Sequence, residues 1–271
     1  MKIFLTGSTG FLGKSIMQFL KEHEYFCYQR GTDIFAMLNS FKPHVIIHSA
    51  GEIYNELEMY KSNVLLTNNI LQWVSKNNIT KMIYFGSSSE YGITNNAMSE
   101  HNECIPVSMY ALTKLTGTQN CLKYAKQYEK DICVIRPFSV FGINEPEKRL
   151  IPTLLKNLKN EQQITLIKGN HDFIYIKDFV RCVELAITSN CTKGEIFNAG
   201  SGQTYSNIDV LDKMKKILSI KDCKVEYLDK VKACDSQMWQ CDTTKSKNVL
   251  GFTCNFTIDS GLEEYTYMHG N

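Results

Sequence analysis

Short, almost unbroken apolar runs alternate along the chain with stretches whose apolar residues recur at three- and four-residue spacing. The runs cover Lys2–Thr6, residues 25–29, Val45–His48, residues 82–85 and residues 132–135. They lack the polar alternation of a half-wetted strand, so they predict strands buried on both faces, as in a parallel sheet. Residues 11–20, 56–74 and 108–128 carry the helical spacing, and Phe11, Leu12, Ile16, Phe19 and Leu20 form one stripe of the first helix. Strand–helix–strand repetition implies right-handed crossovers and a doubly wound α/β sheet of Rossmann type. Past the fifth run the rhythm breaks at Pro137, Pro146 and Pro152, and residues 195–199 read as a late return to the sheet. The expected division is a larger domain of residues 1–141 with 172–200 returning to it, and a small C-terminal α/β lobe from 142–171 and 201–271.

The chain has 271 residues, 43% of them hydrophobic, which suits one large domain with an appendage. Thirty basic against 28 acidic residues leave a formal charge of +2, which gives no reason to expect a nucleic acid or an anionic membrane as partner. Any anion specificity must be local. No apolar run reaches membrane-spanning length and Met1-Lys2 leads straight into a strand, so a cytoplasmic protein is expected. The ten cysteines include no CxxC pair; Cys27, Cys104, Cys121, Cys133 and Cys182 are scattered, several inside apolar runs. That pattern predicts buried reduced thiols, and with six dispersed histidines it predicts no metal.

The first run is followed at once by Gly7-Ser8-Thr9-Gly10-Phe11-Leu12-Gly13 and then by a helix. Gly7 permits the tight turn, Gly10 lets a pyrophosphate approach the backbone beside Thr9, and Gly13 lets the helix pack on the sheet. A strand–turn–helix setting at this spacing predicts a dinucleotide cradle. The second run ends in Gln29 and Arg30, with no carboxylate before Asp33. An arginine there pairs with a 2′-phosphate and favours NADP(H), NAD(H) remaining possible; Arg30 stacking on adenine or facing solvent is the alternative, and Asp33 is a candidate for the adenine end.

Tyr110 and Lys114 stand four residues apart on one helical face. A nearby ammonium favours the phenolate, so the tyrosine is expected to titrate closer to neutrality and to exchange a proton with a substrate hydroxyl during hydride transfer. Upstream, Phe85-Gly86-Ser87-Ser88-Ser89-Glu90-Tyr91-Gly92 places small hydroxyls at the carboxyl end of a central strand, where such sheets bind their ligands.

The GxxGxxG turn, the serine segment and the YxxxK pair together resemble the extended short-chain dehydrogenase/reductase family, nucleotide-sugar group. Matches continue through the chain: residues 63–69 are similar to its NVxGTxN helix, 136–142 to RxxNVYG, 171–178 to RDFxxVxD and 242–245 to DxSK. The resemblance implies Tyr110 as general acid/base, Lys114 as partner of the nicotinamide ribose and Ser87 as the catalytic Ser/Thr. It implies cofactor contacts at Ser49, Ala50, Gly51, Asn63 and Phe138, and a homodimer through the helices at 56–74 and 108–128. Substrate contacts are implied at Ser88, Ser89, Ser139 and His171, the last two standing where many members have Asn and Arg, and more weakly at Lys232 and Asp235. Dehydratases of the family follow the catalytic Ser/Thr with an acidic or polar–Glu pair, whereas Ser88 and Ser89 stand here and Glu90 falls one place late. The resemblance therefore implies reduction of a nucleotide-linked 4-keto-6-deoxy sugar, with a 4-epimerase holding NAD tightly as the alternative. A non-catalytic dinucleotide sensor is a lesser one, disfavoured because Tyr110 and Lys114 are both retained.

Overall fold

The structure, a computed structural model, describes residues 1–228 and 238–269. A six-stranded parallel sheet runs β2-β1-β3-β4-β5-β9, built from β1 (Lys2–Thr6), β2 (Glu24–Cys27), β3 (Val45–His48), β4 (Lys81–Phe85), β5 (Ile132–Pro137) and β9 (Ile196–Ala199). The strand order reverses beside β1, opening a crevice at the carboxyl ends of β1 and β3. Strands β3 and β4 are buried along their whole length, as their unbroken apolar runs require. The expectation for residues 25–29 is corrected: β2 is shifted toward the N-terminus and forms the sheet edge, and its residues alternate between exposed and half-buried.

Helices cover both faces. On one lie α2 (Ile34–Phe41), α4 (Leu66–Lys76) and α5 (Met109–Gln127); on the other lie α1 (Phe11–Phe19) and α7 (Ile176–Thr188). The segment expected as one helix over 56–74 begins as α3 (Glu56–Met59), continues through a π-helical turn at Tyr60–Leu65, and ends as α4. A π turn inserts a residue into the ladder and turns a side chain inward. Here the inward residue is Asn63, fully buried: its Oδ1 accepts from the Glu52 amide at 3.1 Å, and its Nδ2 donates to the Glu52 carbonyl at 3.1 Å and to Thr113 Oγ1 at 3.0 Å. The loop after β3 is thereby fixed to α5.

The remaining chain builds the lobe. Strands β6 (Ser139–Phe141), β8 (Asn170–Tyr175) and β10 (Thr204–Ser206) form one small sheet; β7 (Ile164–Ile167) and β11 (Val225–Leu228) form another. Helices α6 (Leu150–Lys159), α8 (Asn207–Ile217), α9 (Thr244–Leu250) and α10 (Ile258–Met268) complete it. The boundary expected at residue 172 falls inside β8, whose partners are β6 and β10.

Two buried aspartates tie the parts together. Asp172 accepts from the Ser201 amide and hydroxyl (2.6 and 2.7 Å), the Gly202 amide (2.8 Å) and the Cys241 amide (3.0 Å). Asp178 accepts from the amides of Asn255 and Phe256, both at 2.9 Å. Among the described residues the nine cysteines are free thiols, no group of His, Cys, Asp and Glu could hold a metal, and no helix is long and apolar enough to cross a membrane.

Candidate active site

Two cavities adjoin the start of α1, one reaching Gly10 and the other Leu12. The first, of about 310 Å³, is lined by Gly7, Ser8, Thr9 and Gly10 of the turn, by Ser49, Ala50 and Gly51 after β3, and by Tyr28, Arg30, Glu58 and Lys61 farther out. Gly7 takes φ +72°, and a Cβ there would lie 2.7 Å from the Ala50 amide nitrogen; one on Gly13 would lie 2.2 Å from the Gly7 carbonyl oxygen. Both positions therefore exclude side chains on backbone grounds. Helix α1 opens at Gly10 with no side-chain cap, which leaves its first-turn amides to an anion. The cradle fits a dinucleotide pyrophosphate.

The second cavity, of about 670 Å³, collects Ser87, Ser88, Ser89, Tyr110, Phe138, Ser139 and His171, with Leu12, Tyr54, Arg149 and Trp239. A third, of about 400 Å³, continues from it past Arg149, Lys148 and Lys168. Tyr110 sits in the first turn of α5, which the Ser108 hydroxyl caps by accepting from the Ala111 amide at 3.2 Å. Burial raises its phenol above the ordinary tyrosine value, and the neighbouring Ser87 hydroxyl works the other way.

Ser87 stands on a buried polar floor. Glu90, fully buried, accepts from the Ser87 amide at 2.8 Å, from the Thr118 hydroxyl at 3.0 Å and from Arg136 Nε at 2.9 Å, and forms an ion pair with Arg136 Nη2 at 2.8 Å. A Cβ on Gly86 would lie 2.5 Å from Glu90 Oε1, so the loop needs glycine there to close on the carboxylate. Burial works against the charge on Arg136, but the facing Glu90 carboxylate overcomes it and holds the guanidinium proton more tightly than usual.

A family model, the NAD dependent epimerase/dehydratase family, matches residues 3–200. The chain belongs to that family. It is an enzyme of the extended short-chain dehydrogenase/reductase type. Among curated relatives, the uncharacterized UDP-glucose epimerase YtcB of Bacillus subtilis is 25% identical over 210 residues, covering 76% of this chain and 66% of that one, just under two thirds of its length. The GDP-6-deoxy-D-talose 4-dehydrogenase of Aggregatibacter actinomycetemcomitans is 26% identical, with 98% of this chain and 97% of that one covered. The structure of UDP-glucuronic acid 4-epimerase from Bacillus cereus, in complex with UDP-glucuronic acid and NAD, superposes with a TM-score of 0.89 at 23% identity, covering 99% of this chain and 100% of that one.

Several expected residues of this family member land elsewhere than their motifs implied. Lys114 does not act on the Tyr110 phenol, which corrects the expectation of a tyrosine drawn toward neutrality. Its ammonium donates to the Phe85 carbonyl at 2.7 Å and lies 5.1 Å from the Tyr84 ring centroid, while burial pulls its own titration down to about 8 against the opposing pull of Glu90. The same ammonium stands under the first cavity, because a Cβ on Gly51 would come within 3.2 Å of Nζ. Asp33 serves as N-cap of α2, accepting from the Phe35 and Ala36 amides at 2.9 and 3.2 Å, and is not part of the cavity wall. The Asn63 amide is engaged by the Glu52 backbone and Thr113, behind the cofactor cavity rather than in it. Lys232 and Asp235 lie outside the described residues. Glu58, Lys61, Arg149 and Trp239 went unread: the first two sit on helix turns with ordinary surface charge spacing, and the others on irregular segments without periodicity.

The Glu90–Arg136 pair makes a stability prediction. Arg136→Met removes the cation and leaves a buried carboxylate unpaired, so urea unfolding should show a loss of about 3–5 kcal/mol. Adding Glu90→Gln should recover part of it. A loss below about 1 kcal/mol, the size of a surface pair, would contradict the account.

Proposed function

We propose that the chain is a nucleotide-sugar 4-ketoreductase using NADP(H), which reduces a 4-keto-6-deoxy sugar. The observation that carries this reading is the commitment of Glu90. Loss of water across C5–C6, as in a 4,6-dehydratase, needs a carboxyl group beside the serine pair. The carboxylate nearest Ser87 lies beneath the loop with three hydrogen bonds and an ion pair, outside the wall of the sugar cavity. The carboxylate in that wall, Glu56, comes from the first turn of α3 and not from the serine segment. Serines occupy the two places between Ser87 and Glu90. The full-length match to a 6-deoxy-sugar 4-dehydrogenase supports the same chemistry.

The choice of NADP(H) rests on the outer end of the first cavity. Arg30, largely exposed, reaches Glu58 at 3.5 Å, and Lys61 reaches the same carboxylate at 2.8 Å. Two cations around one carboxylate leave a net positive charge where the adenosine ribose would end, suited to a 2′-phosphate. The glycine turn, Arg30 and Lys114 would hold the nicotinamide cofactor, which when bound would supply the hydride. Tyr110 donates its proton to the alkoxide oxygen that develops at C4, and the Ser87 hydroxyl holds that oxygen. A raised phenol pKa suits this direction, since the proton is in place at neutral pH. The 4-epimerase with retained NAD is the second reading, favoured by the Glu58 carboxylate, which offsets part of that positive charge.

The active form in this proposal is a homodimer. Leu57, Tyr60, Met109 and Leu112 are 64, 51, 45 and 48% exposed and form an apolar face on α3, the π turn after it and the start of α5. Its free thiols suit a reducing cytoplasm.

Tyr110→Phe should lower kcat by at least about a hundredfold, the range of general acid catalysis, with dinucleotide binding unchanged. Retained turnover would remove Tyr110 from the mechanism. Arg30→Ala should weaken NADPH far more than NADH in a fluorescence titration; equal losses, or stoichiometric NAD released on denaturation, would favour the epimerase. Sedimentation should give a dimer that Leu57→Glu dissociates, and a wild-type monomer would count against the apolar face as a subunit contact.

A further inference from the structure

Trp239 is the largest side chain in the sugar cavity that no motif pointed to. It is 8% exposed and packs with Tyr91, Met98, Phe138 and Cys241 in a small apolar cluster separate from the main core. Its indole Nε1 donates to Ser88 Oγ at 3.1 Å, and its ring centroid lies 6.1 Å from that of His171. Both Trp239 and Ser88 line the cavity that holds Ser87 and Tyr110.

Their chemistry is directional. An indole donates and does not accept, so one lone pair of Ser88 Oγ is occupied and the hydroxyl proton is left to turn toward an acceptor. Ser88 directly follows Ser87, and C5 of a hexose is bonded to the C4 whose oxygen Ser87 holds. C4 is flanked by C3 and C5, and of their substituents in a 6-deoxy sugar only the C5 methyl is apolar, so the methyl is the one matched to the indole beside Ser88. A methyl buries well against that face; a hydroxymethyl would bring a hydroxyl onto an apolar wall whose one donor is already engaged.

We propose that Trp239 determines specificity at the C5 substituent, its face seating the methyl of a 6-deoxy sugar while Ser88 donates to a ring hydroxyl. The inference rests on the reading of this cavity as the sugar site of a 4-ketoreductase. An apolar wall discriminates by roughly 10–100-fold against an added hydroxyl.

The test runs the reaction toward oxidation with NADP⁺ or NAD⁺, comparing nucleotide-linked 6-deoxyhexoses with their 6-hydroxy counterparts, as UDP and GDP derivatives. Wild-type kcat/KM should favour the 6-deoxy sugar by roughly 10–100-fold. Trp239→Phe should keep most of that preference and Trp239→Ala should abolish it. A second readout is Trp239 emission in a Trp73→Phe background, which should change on binding the 6-deoxy sugar at lower concentration than the 6-hydroxy one. Equal turnover of both sugars by wild type, or a preference untouched by Trp239→Ala, would overturn the proposal while leaving the reductase reading intact. Oxidation of neither sugar would overturn the reductase reading instead, and the emission titration would then decide on the wall alone: tighter binding of the 6-deoxy sugar upholds it, and equal binding overturns it.

Discussion

The buried contact between Glu90 and Arg136 is the constraint from which the rest of the site is arranged. A carboxylate and a guanidinium taken out of water lose hydration that only good geometry restores. Here the carboxylate takes a hydrogen bond and an ion pair from the guanidinium, a hydrogen bond from the Ser87 amide and one from Thr118, so strand β5, helix α5 and the end of β4 converge on two oxygens. The guanidinium in turn lies 4.5 Å from the Tyr91 ring centroid and donates to Cys104 Sγ at 3.2 Å. Tyr91 donates to Asn198 Oδ1 at 2.7 Å, and Asn198 Nδ2 donates to the Met98 carbonyl at 2.9 Å. A single network thus runs from beneath the serine loop to β9 and the segment that pairs with Cys241, so the position of Ser87 is set by the sheet and by the loop over it together.

This network explains what the sequence disclosed and what it withheld. The parallel sheet was legible because β1, β3, β4 and β5 each hold an unbroken run of at least three apolar residues without polar alternation, a pattern with few alternatives once helical stretches separate the runs. The glycine turn was legible because backbone sterics impose it: Gly7 and Gly13 have no room for a Cβ. Glu90 is the instructive failure. Read along the chain it is an acid one place too late for chemistry, and its partner lies 46 positions on in a strand. Its use as a support for the serine loop comes only from the pairing of β4 with β5.

The lobe was less legible for a related reason. Its strands β6 and β10 have three residues each, too short for a period to show, and they are held by local and side-chain bonds instead. Asp172 accepts four of these, so the one acidic residue at the start of the 171–178 segment closes the loops around it from beneath. Edge strand β2 misled in the opposite direction, since aromatic and sulfur-containing residues read as core where Phe26 stacks on Phe41 at the rim, ring centroids 5.0 Å apart.

Tyr110 and Lys114 show where spacing stops short of chemistry. Four residues on a helix put two side chains on one face, yet that fixes Cβ positions and not the ends of long side chains. The lysine bends under the strand terminus to Phe85 and stays within reach of Gly51 in the first cavity, whereas the tyrosine lines the second cavity with Ser87. The pair thus straddles the boundary between the two cavities. The ammonium is partnered by a neutral carbonyl rather than by the phenol, so its field does not stabilise phenolate, and burial leaves the phenol protonated. In the proposed reductase, a tyrosine kept in that form is prepared to give a proton. Oxidation, which must take one, then depends on whatever the bound cofactor's charge adds to a site that by itself favours the acid.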